Sequence, residues 1–296
     1  MTGLRVLPIA PASSFDINNV ERGIDILSTH RFEVIKKPDV RRFDPNYLNG
    51  SDEERLAELQ AALADSSCDL IWMARGGYGL TRILPSLKLP KSKMPVAIGF
   101  SDITALHCHL WTQKKHKGIH APHLNKLADE NPESFGILLS IIQGRARDIN
   151  YPILRPLYQQ AGNNVQGTLI VGNLCILASL IGTESMPSLE GCILVIEEVG
   201  ERPYRIDRML THLFYSGSLK GVQAIIMGQF TSCDEQDGSV TPESVVIERC
   251  KHFGIPLFAG LPVGHDNPNW AIPFGARAHL SLTDVGGELR ILEEIF

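Results

Sequence analysis

Four short apolar runs, Leu4–Ala10, Phe32–Lys36, Leu70–Ala74 and Val96–Phe100, constrain this chain more than any other feature. Segments with helical spacing separate them. Val20, Ile24 and Leu27 mark one apolar face within Asn18–Ser28, and Leu56, Leu59 and Leu63 mark another within Asp52–Leu63, which Ser51 or Asp52 can cap. A further helix-like stretch ends at Leu87. Strand-length runs that alternate with amphipathic helices predict a parallel sheet covered on both faces.

The texture changes after about residue 145. Asp148–Gln160 is irregular and contains proline. Strands are then predicted at Gly167–Val171, Cys192–Glu197 and Ala224–Gln229, with helices at Asn173–Ile181, Ile206–Tyr215 and Pro242–Phe253. The end is β-rich, with strands at Ala276–Leu282 and Glu288–Leu292 around an expected turn at Gly286-Gly287. The pattern reads as two α/β domains joined near residues 150–165. With 296 residues, 44% of them hydrophobic, the chain is large enough for both cores.

A net charge of -5 argues against a nucleic-acid backbone as partner. No apolar stretch reaches membrane-span length, and Met1–Arg5 does not open a secretory signal. The six cysteines, Cys68, Cys108, Cys175, Cys192, Cys233 and Cys250, form no C-x-x-C pair, and several lie in apolar runs. Buried free thiols of that kind suit a reducing compartment, so the cytoplasm is expected.

Candidate chemistry gathers at the strand ends. Val96–Phe100 runs into Ser101-Asp102-Ile103-Thr104, and a helix-like run from Ile103 to Gln113 follows at once. A serine on so sharp a strand-to-helix turn presents its hydroxyl at a crevice, and the next amide points the same way. The usual elbow reads G-x-S-x-G, whereas its last position here is Ile103. The plainer role for Ser101 is a helix N-cap. Arg75-Gly76-Gly77-Tyr78-Gly79 follows another strand. Its glycines permit close approach of a ligand, as a phosphate cradle or an oxyanion amide, or form only a tight turn. It lacks a Walker lysine and does not fit G-x-G-x-x-G. Arg75 suits either a substrate carboxylate or a surface ion pair.

Glu197 and Glu198 close the strand Cys192–Glu197, at the edge where open α/β sheets bind ligands. Alternation sends them to opposite faces, so only one faces a given site; the plainer reading makes both solvated loop carboxylates. His265, in the turn-rich loop Gly264–Trp270, has the freedom to act as a base beside a neighbouring acid, or is an ordinary loop histidine. His107, His109, His116, His120 and His123 raise a metal site. However, Gly118 interrupts the His116/His120 spacing, no H-E-x-x-H occurs, and His107 and His109 splay apart on a helix. Packing and surface roles are preferred, with no metal and no cofactor.

Together these segments resemble the LD-carboxypeptidase family of serine peptidases, which includes the microcin C self-immunity peptidases. The resemblance covers nearly the whole chain. It runs through Ala10-Pro11-Ala12-Ser13-Ser14, Gly50-Ser51-Asp52-Glu53-Glu54-Arg55, the glycine loop to Leu84-Pro85, and Gly99–Thr104. It continues through His120-Ala121-Pro122, Gly172-Asn173-Leu174, Ile196-Glu197-Glu198, Tyr204-Arg205-Ile206-Asp207-Arg208 and the His265 loop to Pro273-Phe274-Gly275-Ala276. Two features depart from the pattern or divide its branches. Ala121 stands where the family usually has glycine, and the short stretch from Gly182 to Glu197 fits the LD-carboxypeptidase branch better than the immunity peptidases.

The resemblance implies a flavodoxin-like parallel-sheet domain over residues 1–150, carrying the nucleophile. It implies a smaller, β-rich α/β domain of the swivelling type over 165–296, carrying the glutamate and histidine. It assigns Ser101 as nucleophile, Glu197 and His265 as its partners, and the backbone amides of Gly77 and Asp102 as oxyanion hole. Substrate contacts are expected from Arg75, Gly76 and Tyr78, with Arg205 a second cation. The implied reaction removes the terminal D-alanine of murein tetrapeptide, during cytoplasmic recycling of cell-wall peptides. A homodimer acting on a small peptide is expected, with no nucleic-acid or membrane partner. Competing readings are an immunity-type peptidase hydrolysing aminoacyl-nucleotide amides, a non-catalytic anion-binding module, and a metal-dependent hydrolase.

Overall fold

A computed structural model describes residues 3–39, 47–159, 164–235 and 237–296, and two sheets organise it. In the first, β1 (Arg5–Ile9), β2 (Glu33–Val34), β3 (Leu70–Met73), β4 (Val96–Gly99) and β5 (Gly118–His120) run parallel in the order β2-β1-β3-β4-β5. That flavodoxin-like order reverses between β1 and β3, which opens a crevice at the carboxyl edge. Strands β3 and β4 are buried at every residue, as parallel strands covered on both faces must be. The first sheet carries α1 (Ile17–Thr29), α2 (Asp52–Ala64), α3 (Leu80–Ile83) and α4 (Ile103–Lys114), followed by α5 (Leu124–Leu127) and α6 (Pro132–Ile142). Helix α2 starts on a capping box between Ser51 and Glu54, two reciprocal bonds that satisfy its first free amides.

One more strand, Ile272–Phe274, pairs antiparallel with β5 and so completes the first sheet from far down the chain. The second sheet holds β6 (Arg155–Tyr158), β7 (Asn164–Asn173), β8 (Cys192–Val199), β9 (Ala224–Thr231) and β10 (Leu257–Ala259). Numbering Ile272–Phe274 as β11, this sheet ends with β12 (Arg277–Thr283) and β13 (Gly286–Ile291), in the order β13-β12-β7-β8-β9-β10-β6. Strands β7 to β10 are parallel, and their connections include α7 (Leu174–Ser179), α8 (Pro203–Tyr215) and α9 (Pro242–Phe253).

The two halves meet where α4 lies against the end of β7. Thr104 Oγ1 accepts the Asn173 amide at 3.0 Å, and a Cβ on Gly172 would fall 2.2 Å from the Thr104 methyl. Of the expected joining region 150–165, residues 160–163 lie outside the described residues, and Arg155–Tyr158 is already strand. The hairpin at the chain's end turns at Asp284-Val285 rather than at the two glycines, since Thr283 pairs with Gly286. Those glycines answer to packing instead. A Cβ at Gly286 would lie 2.6 Å from Leu154 O, and one at Gly287 2.7 Å from the Phe258 ring.

Candidate active site

Ser101 sits between β4 and α4 with φ +62°, a left-handed backbone that residues other than glycine seldom adopt. The N-cap position of α4 falls to Asp102, and the Ser101 hydroxyl makes no hydrogen bond among the described residues. The N-cap role is therefore not the one this serine takes. Close packing explains why the elbow dispenses with its second glycine. Ile103 folds back on Gly99, where a Cβ would lie 2.9 Å from its Cγ1. The glycine that gives the serine room comes from the neighbouring loop, because a Cβ on Gly76 would sit 3.0 Å from Ser101 Cβ and 3.4 Å from the Asp102 nitrogen.

That glycine loop is held open from beneath. Gly77 has φ +89°, and a side chain there would meet Ser13 Oγ at 2.3 Å. Ser13 donates its own amide to Gly76 O and accepts the Tyr78 amide on Oγ at 2.9 Å. Arg55 is fully buried and donates from Nη1 to Pro11 O at 2.7 Å and Gly79 O at 2.9 Å, with Asp52 as its ion-pair partner. Asp102 turns its carboxylate away from its own helix and accepts the Leu80 amide at 2.9 Å, which ties the loop's far end to the elbow. Burial raises the Asp102 carboxyl to about 6, against the pull of Arg55. The Gly77 and Asp102 N–H groups donate to nothing among the described residues; Gly76, one residue before Gly77, is the glycine packed against the serine. Sequence reasoning assigned no role to Ser13 or Arg55. The signal lay in the Pro11–Ser14 and Gly50–Arg55 segments, which carry no catalytic residue type in an obvious place.

Glu197 and His265 meet. Glu197 Oε2 lies 2.8 Å from His265 Nδ1; the carboxylate is fully buried and the imidazole partly exposed. A register shift between β8 and β9 falls at Ile196/Glu198. Glu198 faces elsewhere, accepting Asn173 Nδ2 at 2.9 Å, the Cys175 amide at 2.8 Å and the Val199 amide at 2.8 Å. Both glutamates are buried, not solvated, and burial raises the Glu198 carboxyl to about 6. The His265 loop is pinned rather than free. Asn269 Oδ1 accepts the Gly264 amide, Gln229 Oε1 accepts the Asp266 amide, and Asn267 bonds to the Asp129 carbonyl and the Asn131 amide. Phe100, immediately before Ser101, lies 4.9 Å from the His265 ring and stacks on His123 at 4.8 Å, so the elbow and the imidazole adjoin.

Residues 6–121 match the N-terminal domain, and residues 166–280 the C-terminal domain, of the LD-carboxypeptidase family. The chain belongs to the LD-carboxypeptidase family. These are serine-type peptidases, so the chain is a hydrolase of peptide bonds. A putative carboxypeptidase of Synechocystis is 36% identical over 94% of this chain and 91% of its own length. The murein tetrapeptide carboxypeptidase of Pseudomonas aeruginosa is 33% identical, over 93% and 92%. The crystal structure of muramoyltetrapeptide carboxypeptidase from Oxalobacter formigenes superposes with a TM-score of 0.84 at 28% identity, covering 97% of this chain and 99% of that one.

The remaining candidates of this LD-carboxypeptidase fall less closely together. Arg75 is exposed and donates to Ser14 O at 2.7 Å, with further guanidinium donors toward solvent. Arg205 pairs with Glu201 and leans on Tyr204, so its charge is already answered. Tyr78 is exposed beside Tyr47, with ring centroids 6.0 Å apart. The five histidines do not converge on one point. His107 bonds Gly99 O, His109 bonds Ser185 Oγ, and His116 bonds Pro95 O. Burial lowers His107 to about 4 and His123 to about 3.

Proposed function

We propose that this LD-carboxypeptidase releases the terminal D-alanine of murein tetrapeptide, cleaving the amide that joins it to the L-centre of diaminopimelate. Ser101 acts as nucleophile, His265 as base and Glu197 as its orienting carboxylate. The Gly77 and Asp102 amides hold the oxyanion. The observation that carries this reading is the 2.8 Å contact between His265 Nδ1 and the buried Glu197 Oε2. A proton held on Nδ1 leaves Nε2 to accept one. The left-handed turn at Ser101 and the names of the Pseudomonas and Oxalobacter relatives support it further.

The steps follow from those roles. Ser101 Oγ bonds to the amide carbon while His265 Nε2 takes the hydroxyl proton. The carbonyl electron pair moves onto oxygen, between the two amides; one such donor is worth roughly 3 kcal/mol. Collapse breaks the C–N bond, and His265 gives its proton to the departing nitrogen, which leaves as D-alanine. Water then loses a proton to His265 and attacks the ester, and the proton returns to Ser101 Oγ as the acid departs. The free guanidinium donors of Arg75 suit the terminal carboxylate, with Gly76 and Tyr78 beside it. The same reading places the enzyme in the cytoplasm as a homodimer. The free state of all six cysteines agrees with that compartment.

The test is D-alanine release from free tetrapeptide, run beside an aminoacyl-nucleotide amide. Preferential hydrolysis of the nucleotide overturns the substrate assignment. Ser101→Ala is expected to abolish turnover with the fold intact, and full activity in that variant overturns the mechanism. Fluorophosphonate labelling of Ser101 that depends on His265 separates the enzyme from a passive anion binder.

A further inference from the structure

A cleft of about 250 Å³ opens directly beside the candidate base, lined by Phe100, Lys126, Glu130, His265 and Asp266. Its charges are unevenly satisfied. Asp129, also on its wall, pairs with Arg22, and Glu130 accepts the Asn131 and Asn269 amides on one oxygen. Lys126 and Asp266 are both exposed, and neither side chain has a hydrogen bond or ion pair among the described residues. They line one cleft yet do not pair with each other. Among the described residues the wall carries one ammonium against three carboxylates. A ligand bearing only a carboxylate is therefore repelled by the remainder, and one bearing only an ammonium meets Lys126. A group with both signs on one carbon satisfies both free residues at once.

We propose that this cleft is a subsite for a zwitterionic amino-acid group, with its carboxylate on Lys126 Nζ and its ammonium on Asp266. Resting on the function proposed above, the group is the distal centre of diaminopimelate, which carries an amine and a carboxylate on one carbon. The Phe100 ring forms the apolar wall for the methylenes that lead there. Lys126 is then a specificity residue, and it recognises a different carboxylate from the one assigned to Arg75.

The test compares murein tetrapeptide with its counterpart carrying L-lysine in place of diaminopimelate. Lysine keeps the ammonium and lacks the distal carboxylate. Wild type is expected to favour the diaminopimelate peptide about threefold in kcat/KM, the scale of one ion pair at an exposed site. Lys126→Ala and Lys126→Met are expected to bring the ratio near one. Asp266→Asn lowers kcat/KM for both peptides and leaves the ratio standing, because both ligands carry the ammonium. Release of D-alanine with a ratio that the Lys126 variants do not change overturns the subsite alone. Release from neither peptide by wild type overturns the function reading, and with it the ligand assigned here.

Discussion

Exchanging Glu197 for glutamine and, separately, Glu198 for glutamine asks which carboxylate serves the imidazole. Glu197 Oε2 is 2.8 Å from His265 Nδ1 and fully buried. When His265 takes the serine proton, its positive charge centre lies about 4 Å from the carboxylate. At an effective dielectric near 20 that attraction is about 4 kcal/mol, and a neutral amide forfeits most of it. A loss of that size in the transition state is roughly a thousandfold in kcat. Glu197 Oε1 has no hydrogen-bond partner among the described residues, so the fold loses little from the exchange. Glu198 behaves oppositely. Its two oxygens accept three N–H groups, from Asn173, Cys175 and Val199. A glutamine NH₂ turned toward any of them leaves a buried donor unanswered, at a cost of about 1–3 kcal/mol in stability. The expected result is a collapse of kcat with Tm held in Glu197→Gln, and a Tm lower by several degrees with kcat nearly held in Glu198→Gln. D-alanine release and thermal denaturation on the same preparations read both. A larger kcat loss in Glu198→Gln refutes the assignment.

Two further outcomes follow from the elbow and the loop beside it. The Asp102 carboxyl is raised to about 6 in the fold, against about 4 in an unfolded chain. The folded state holds that proton more tightly, so stability from this group is full at low pH and is lost as pH rises from about 4 through about 6. The amide side chain of Asp102→Asn still offers an oxygen to the Leu80 N–H and does not titrate; the Tm of this variant relative to wild type should therefore climb across that window and then level off. A pH-independent difference removes Asp102 as the titrating group. Gly77→Ala places a Cβ 2.3 Å from Ser13 Oγ on a backbone of φ +89°, where an L side chain costs about 1–2 kcal/mol. A displaced oxyanion amide should lower kcat about a hundredfold with KM changed far less; equal loss in both parameters assigns the loop to substrate binding.

Periodicity made the first sheet legible, because each of its early strands is a short apolar run between helices with clear faces and caps. Ser51, for instance, does cap α2. The two strands at the β5–β11 side were not legible. Gly118–His120 and Ile272–Phe274 are three residues each and have no pattern of their own. Their pairing is set by tertiary contact alone. At the site, residue types with evident chemistry announced themselves at strand ends, and Glu197 and His265 do meet. What supports them was hidden. Ser13 acts through one hydroxyl lodged under a glycine, and Arg55 through carbonyls of segments remote in sequence. The His265 loop looked free because asparagine and proline suggest turns. In the fold those asparagines hold the loop to Gly264 and to the connection before α6.

The return of β11 to the first sheet has a consequence for how the molecule comes into being. β5 gains its outer neighbour only after roughly 150 intervening residues have been made, since His120 pairs with Ile272. Pairing so distant in sequence closes late and slowly. During synthesis the nascent first half therefore waits with an open strand edge, a template for unwanted association. The segment that finally seals that edge lies a few residues beyond His265. A chain cut short before it would keep its imidazole but lack its edge strand, so assembly of a working peptidase coincides with completion of the sheet.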